Sequence, residues 1–310
     1  MRRPLPTTLD PSGSAAREIA DLWWLLVGLG AVAFIVVAVG LGVGLLRRPA
    51  DDTVPRRRAA GRWLIGGGVV LPTVLIVVVL IATVASMRAV SGSPSDDAVT
   101  IEVTGHQWWW EVRYPDDGVV TANEVHIPAG RDVVLELRSA DVIHSFWVPA
   151  LAGKMDLLPE RTNTLVIDAD RPGRYDGVCA EFCGVQHVNM QLVVVAHDEA
   201  EFAGWLDAQR QPAAEPTEEL ETRGEQAFVD RGCASCHRIG GTDAAGDDGP
   251  DLTHVASRSA LAAGALDNTL PDLREWILDP HAIKDGVLMP AVELEPDELD
   301  ALVAYVGSLR

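Results

Sequence analysis

Two stretches of this chain, residues 22–46 and 63–87, carry no charged side chain over 25 residues each, and nothing else in the sequence limits the fold so tightly. At a rise of 1.5 Å per residue, either stretch as a helix crosses a bilayer core of about 30 Å with length left for tilt. Pro72 falls inside the second, where a transmembrane helix tolerates it better than a soluble one. Trp23, Trp24 and Trp63 lie near the ends, at the depth where indoles favour the membrane interface. The alternative for the first stretch is a cleaved signal peptide. Its apolar run is longer than an h-region, and no A-x-A site follows. The connection, residues 47–62, reads RRPADDTVPRRRAAGR and holds six Arg. Positive loops stay in the cytoplasm, so both termini are expected on the extracytoplasmic side.

Charge divides along the same line. Residues 1–91 hold 10 Arg against 5 Asp and Glu, a net of +5, whereas residues 92–310 hold 15 Lys and Arg against 40 Asp and Glu, a net of −25. So acidic a C-terminal part argues against nucleic acid or anionic lipid as its partner, and it could attract a basic one. Nine Trp and regular apolar spacing exclude disorder for most of the chain.

After the hinge at residues 91–95 (SGSPS), the chain alternates with the two-residue period of strands. VTIEVTG, NEVHIPA, DVVLELRS, NTLVIDA and QLVVVA are separated by the turn signals PDDG, PAG and RPG. Many short strands with Gly/Pro turns predict a Greek-key sandwich or barrel, closed by a short helix over 201–210. A Pro/Ala/Glu linker follows. Beyond it, Thr217 is expected to cap one helix and Pro296 to begin another that ends near Leu309. The expected organisation is a tail (1–21), two transmembrane helices (22–46 and 63–87) joined by a cytoplasmic loop (47–62), an all-β domain (98–208), a linker (209–216) and an all-α domain (217–310).

The four cysteines fall in two tight pairs, C-A-E-F-C and C-A-S-C-H, which points to metal and cofactor chemistry rather than a disulfide framework. Cys183-x3-His187-x2-Met190 offers a thiolate, an imidazole and a thioether on one loop, the ligands of a blue-copper site. His144, in DVIHSFWVP, is the natural second imidazole. Cys179 adds a second thiol, so two thiolates can bridge two copper ions, each also holding one His. Met190 would be a weak ligand to one ion, and a loop carbonyl, that of Glu181, to the other. Zinc and a Cys179–Cys183 disulfide are the alternatives. His106, His126, His197, His254 and His281 fit no ligand spacing.

Cys233-Ala-Ser-Cys236-His237 is the attachment sequence of a covalent haem, with both thiols adding to vinyl groups and His237 bound to iron. A soft thioether is expected as the sixth ligand. Met289, followed by Pro290, is the one Met after Met190.

The runs GHQWWW, HSFWVP and CAEFCGVQHVNM, after two membrane helices, resemble subunit II of cytochrome c oxidase with its binuclear copper A centre; the resemblance covers residues 20–208. It implies a cupredoxin-like fold for the all-β domain. It also implies copper ligation by His144, Cys179, Glu181 through its carbonyl, Cys183, His187 and Met190. Trp108 is implied as the residue through which electrons enter, and the Glu181 carboxylate as a ligand to magnesium at the junction with subunit I. Residues 217–310 resemble a class I cytochrome c, in which the Pro250 carbonyl would orient His237; Trp276 and the last helix would pack against the core of that domain. The fused chain is thus expected in a bacterial cell membrane. It would carry electrons from a cytochrome c or cytochrome bc complex through haem and copper to subunit I, with subunit III also present, for dioxygen reduction and proton pumping. A subunit of a copper-containing nitric oxide reductase, or a tethered carrier with no catalytic partner, are the alternative functions.

Overall fold

A computed structural model describes residues 8–46 and 61–310. Residues 47–60, and with them most of the Arg-rich connection, lie outside the described residues.

Two long apolar helices make up one unit, residues 15–93. Helix α1 spans Ser14–Leu46, beginning ahead of the charge-free run, and α2 spans Gly61–Val90. Both are long and apolar enough to cross a membrane. Their Leu, Val, Ile and Phe side chains face outward all round, Phe34 being 73% and Ile81 66% exposed. That is stable only in a lipid-like surround. Helix α2 widens to a π turn over Gly66–Val70, just before Pro72. Proline cannot supply an amide donor to the turn behind it, and the Thr73 hydroxyl donates to the Val69 carbonyl at 2.7 Å in the same stretch.

The second unit holds the β and cytochrome-like domains together. Ten strands form two five-stranded sheets. One runs β3 (Val119–Ala122), β2 (Trp109–Tyr114), β1 (Val99–His106), β5 (Val133–Ser139), β8 (Asn163–Ile167). The other runs β4 (Glu124–Pro128), β10 (Gln191–His197), β9 (Gly173–Cys179), β6 (His144–Trp147), β7 (Met155–Leu157). Strands β1 and β5 pair in parallel, as do β10 and β4, and the remaining pairs are antiparallel. The two-residue period sorts the faces: Ile101, Val103, Leu135 and Leu137 are buried while Thr100, Glu102 and Glu136 are partly exposed. Trp110, Tyr114, Ile127 and Phe146 complete the core, and burial of each such side chain contributes about 1.5–3 kcal/mol. Helix α3 (Glu199–Gln209) closes the domain, with Trp205 stacked on His126 at 4.0 Å.

Beyond the linker, α4 (Glu219–Asp230), α5 (Leu270–Leu278), the short α6 (Pro280–Ile283) and α7 (Pro296–Ser308) form the all-α domain. The cap of α4 is Glu218, not Thr217: Glu218 and Glu221 form a reciprocal capping box, and Thr217 instead donates its amide to the Glu221 carboxylate. Helices α4 and α7 approach closely at Gly224, where a Cβ would fall 2.1 Å from the Ala301 carbonyl oxygen. Phe228 meets Tyr305 edge-on at 6.0 Å in the core beneath. Leu273 and Ile277 join that core from α5, with the intervening Trp276 half-buried.

Candidate metal centre

Strand pairing brings distant donors together. Phe146 of β6 lies opposite Cys179 of β9, so His144 and Cys179, 35 residues apart, become neighbours. The chain leaves β9 at Cys179, loops through Cys183 and the 187–189 turn, and re-enters the sheet at Gln191. All six predicted donors converge. Cys179 Sγ stands 3.8 Å from Cys183 Sγ, 4.0 Å from His144 Nδ1 and 3.2 Å from the Glu181 carbonyl oxygen. Cys183 Sγ lies 3.6 Å from His187 Nδ1 and 3.8 Å from Met190 Sδ. The sulfurs are far outside the bonding distance of a disulfide, about 2.05 Å. Each thiol has its own imidazole, one the thioether and the other the carbonyl. That pseudo-symmetric, sulfur-rich set fits two soft ions sharing thiolates; a tetrahedral zinc would leave Met190 and the carbonyl without a role.

Sequence reasoning missed what holds the ligands. The His144 Nε2–H donates to Asp141 Oδ1 at 2.7 Å, leaving Nδ1 turned toward Cys179. Burial disfavours charge on His144, but the Asp141 bond and the Cys179 thiolate outweigh it and raise its pKa. The D-x-x-H spacing was the available signal. Gly105 is required beside the ring, since a Cβ there would sit 2.8 Å from His144 Cδ2. The contact between the two sulfurs holds the Cys179 thiol far below its ordinary range, and the same contact with burial pushes Cys183 up.

Trp108 precedes β2 and is 7% exposed. Its indole Nε1–H donates to the Cys183 carbonyl at 2.9 Å, and Gln107 Nε2 donates to the same oxygen at 2.7 Å. The other two members of the triplet part ways: Trp110 is wholly buried, and Trp109 stacks on His106 at 4.2 Å. The Glu181 carboxylate pairs with Lys154 Nζ at 3.2 Å on a half-exposed surface.

In the all-α domain Cys233–Ser235 forms a tight turn and the His237 amide bonds back to the Cys233 carbonyl at 3.0 Å. The 246–250 loop packs on it so closely that a Cβ at Gly246 would fall 2.5 Å from Cys236 backbone and one at Gly249 2.7 Å from His237 Cε1. His237 Nδ1 lies 2.8 Å from the Pro250 carbonyl. Burial lowers the His237 pKa against that bond, favouring a neutral ring that donates through Nδ1 and offers Nε2 to iron. Cys233, Cys236 and His237 therefore fit covalent haem. Met289 lies half-buried on the irregular segment between α6 and α7. Three of the remaining histidines take other partners: His126 Nδ1 pairs with His197 Nε2 at 2.8 Å, and His254 Nε2 with the Gln211 carbonyl at 3.0 Å.

Residues 118–197 match the family described as cytochrome c oxidase subunit II, periplasmic domain, and residues 221–310 match cytochrome c. Cytochrome c oxidase subunit 2 of Alkalihalophilus pseudofirmus is 36% identical over 98% of this chain and 91% of its own. The corresponding subunit of Bacillus subtilis is 29% identical over 99% of this chain and 93% of its own. Among solved structures, the periplasmic domain of subunit II of cytochrome oxidase from Bradyrhizobium japonicum is 31% identical over 38% of this chain and 96% of its own, with a TM-score of 0.36.

Proposed function

Because this chain belongs to the cytochrome c oxidase subunit II family and carries a cytochrome c domain at its C-terminus, we propose that it delivers electrons from a donor, through haem and copper, to subunit I of an oxidase. When bound, the copper pair and the covalent haem each supply a one-electron carrier that rearranges little on reduction. His144, Cys179, Cys183, His187, Met190 and the Glu181 carbonyl would hold the copper, and Cys233, Cys236, His237 and Met289 the haem. Subunit I would reduce dioxygen to water and pump protons; subunit III completes the complex. The two helices anchor the chain, with both cofactor domains on the extracytoplasmic side of a bacterial membrane.

One observation carries the order of transfer. Trp108, bonded to the carbonyl of a copper ligand, is covered by the cytochrome domain, with Gly286 against its ring. An external donor therefore meets the cytochrome domain first. A cytochrome c or a cytochrome bc complex fits that role, and the acidic surface suits a basic docking face. The Glu181 carboxylate, paired here with Lys154, is proposed to turn to magnesium at the subunit I junction.

The test is purification in mild detergent, followed by rapid mixing with reduced cytochrome c. Co-purification of a large haem-bearing partner, haem c reduction before copper reduction, and oxygen uptake support the reading. Release without a partner would make the chain a tethered carrier, and consumption of nitric oxide in place of oxygen would make the complex a nitric oxide reductase.

A further inference from the structure

The chain has 23 Arg but only two Lys, and one of these, Lys284, is 2% exposed at the boundary between the cytochrome and β domains. Its Nζ donates to the Trp108 carbonyl across that boundary at 2.7 Å and to the Ala262 carbonyl within its own domain at 2.9 Å. The next residue receives a bond in the opposite sense: Gln186, in the copper loop, donates through Nε2 to the Asp285 carbonyl at 2.9 Å. The residue after that, Gly286, has φ +82° and lies against the indole, where a Cβ would sit 3.5 Å from Trp108 Cη2 and 3.6 Å from Val185 Cγ2. Three consecutive residues of the cytochrome domain thus engage Trp108 and the loop that carries Cys183, and Met289 follows three positions later.

The Ala262 end of the clamp is built at a conformational cost. Ala262, Ala263 and Gly264 all have positive φ, at 51°, 56° and 86°. Left-handed alanine is disfavoured by about 1–2 kcal/mol per residue and persists where surrounding contacts fix it. The turn that contains them packs on β2, β10 and the 187–189 turn, and a Cβ at Gly264 would meet the Gln191 side chain at 2.9 Å. It both aims a carbonyl at Lys284 and rests on the copper-bearing loop. Burial presses the Lys284 pKa down to about 7, yet amine and ammonium alike carry the two N–H donors that these carbonyls use.

We propose that Lys284 is a positioning residue that fixes the Met289-bearing segment on Trp108, so that an electron crosses between the cytochrome and copper domains in one held geometry instead of through a search by a tethered domain. The proposal rests on the electron-transfer reading above. Lys284 itself forms and breaks no covalent bond and takes up no electron. A long apolar side chain of similar length would fill the same space without the two donors, which separates packing from clamping.

The experiment compares the wild-type full-length chain with Lys284→Met, purified in detergent. Amide hydrogen exchange is measured first on the copper-free chain, and flash-induced haem-to-copper transfer then on the loaded complex. Lys284→Met should leave the covalent-haem and copper spectra unchanged. It should speed exchange across residues 284–288 and 107–109 about tenfold, the effect of losing the two Lys284 hydrogen bonds on a local opening, and slow interdomain transfer by about tenfold or more. Unchanged exchange would overturn the clamp, and faster exchange with an unchanged transfer rate would overturn its positioning role. A chain that binds no copper or haem would sink the electron-transfer reading, while the exchange measurement would still report on the clamp. If Lys284→Met does not fold, Gln186→Leu removes the reciprocal bond from the other domain and is judged by the same two readouts.

Discussion

His144 and Asp141 are joined by a 2.7 Å bond from imidazole Nε2 to carboxylate Oδ1, and Asp141 is itself held by the amides of Gln107 at 2.7 Å and Val142 at 2.6 Å. The imidazole proposed to bind copper is thereby fixed in tautomer and orientation by the strand turn beside it. Asp141→Ala should weaken copper binding about 10–100-fold, read by competition with a copper chelator, with the haem spectrum unchanged. Equal copper affinity in the variant would show that sheet packing alone orients the ring.

Cys179 lies beside His144 and Cys183 beside His187, so loss of either thiol would leave the proposed copper pair a single thiolate to share. Cys179→Ser should abolish the mixed-valence magnetic resonance and near-infrared signature of a copper pair and leave one copper or none. Metal analysis of the purified chain gives the stoichiometry directly.

Met289→Ala should keep the haem attached, since Cys233 and Cys236 would hold it covalently. The long-wavelength sulfur-to-iron band should vanish and the reduction potential fall, with copper spectra unchanged. Persistence of that band would place the sixth ligand elsewhere, with His254 and His281 next to test.

Glu124 ties the β domain to the cytochrome domain from a second side. Its carboxylate accepts the Ser259 amide at 2.7 Å and the Ser259 hydroxyl, while His126 lies 3.4 Å away. Burial pushes Glu124 up, but the bonds from His126 and Ser259 prevail and hold it at about 2, against an ordinary 4.5. Burial also lowers His126, so the imidazole contributes as a neutral donor and the Ser259 bonds are the firm ones. A depressed carboxylate stabilises the fold fully above its unfolded pKa and loses that contribution as pH falls through the folded one. Glu124→Gln should therefore cost up to about 3 kcal/mol at pH 7, and less than about half of that at pH 3. Urea unfolding at the two pH values measures both. An equal penalty at each would mean that shape, not charge, is what Glu124 contributes.

The Arg-rich loop sets the expected orientation. Protease added to spheroplasts should release haem-staining fragments and spare residues 47–62. Cleavage within that loop under those conditions would invert the topology.

Much of this molecule is local, and local features are legible in a sequence. Helices α1 and α2 are readable because a charge-free run needs no partner to be identified. C-A-S-C-H and C-A-E-F-C are readable because their donors lie within one turn or loop, where spacing alone sets reach. His144 was reachable too, though only because the ligand chemistry required a second imidazole and HSFWVP offered one. Asp141 escapes a reading by ligand chemistry, and the cap of α4 falls on Glu218 rather than Thr217, because both hinge on one or two residues of backbone geometry. Lys284 was invisible altogether. Nothing near HAIKDG marks a lysine as buried, since its carbonyl partners, Trp108 and Ala262, lie 176 and 22 residues away. The sequence by itself determined what the chain can bind, because ligand chemistry resides in side chains at short spacing. Only the tertiary structure decided which domain face covers Trp108, because that depends on backbone carbonyls and left-handed turns, groups that every residue carries and whose direction no side-chain pattern encodes.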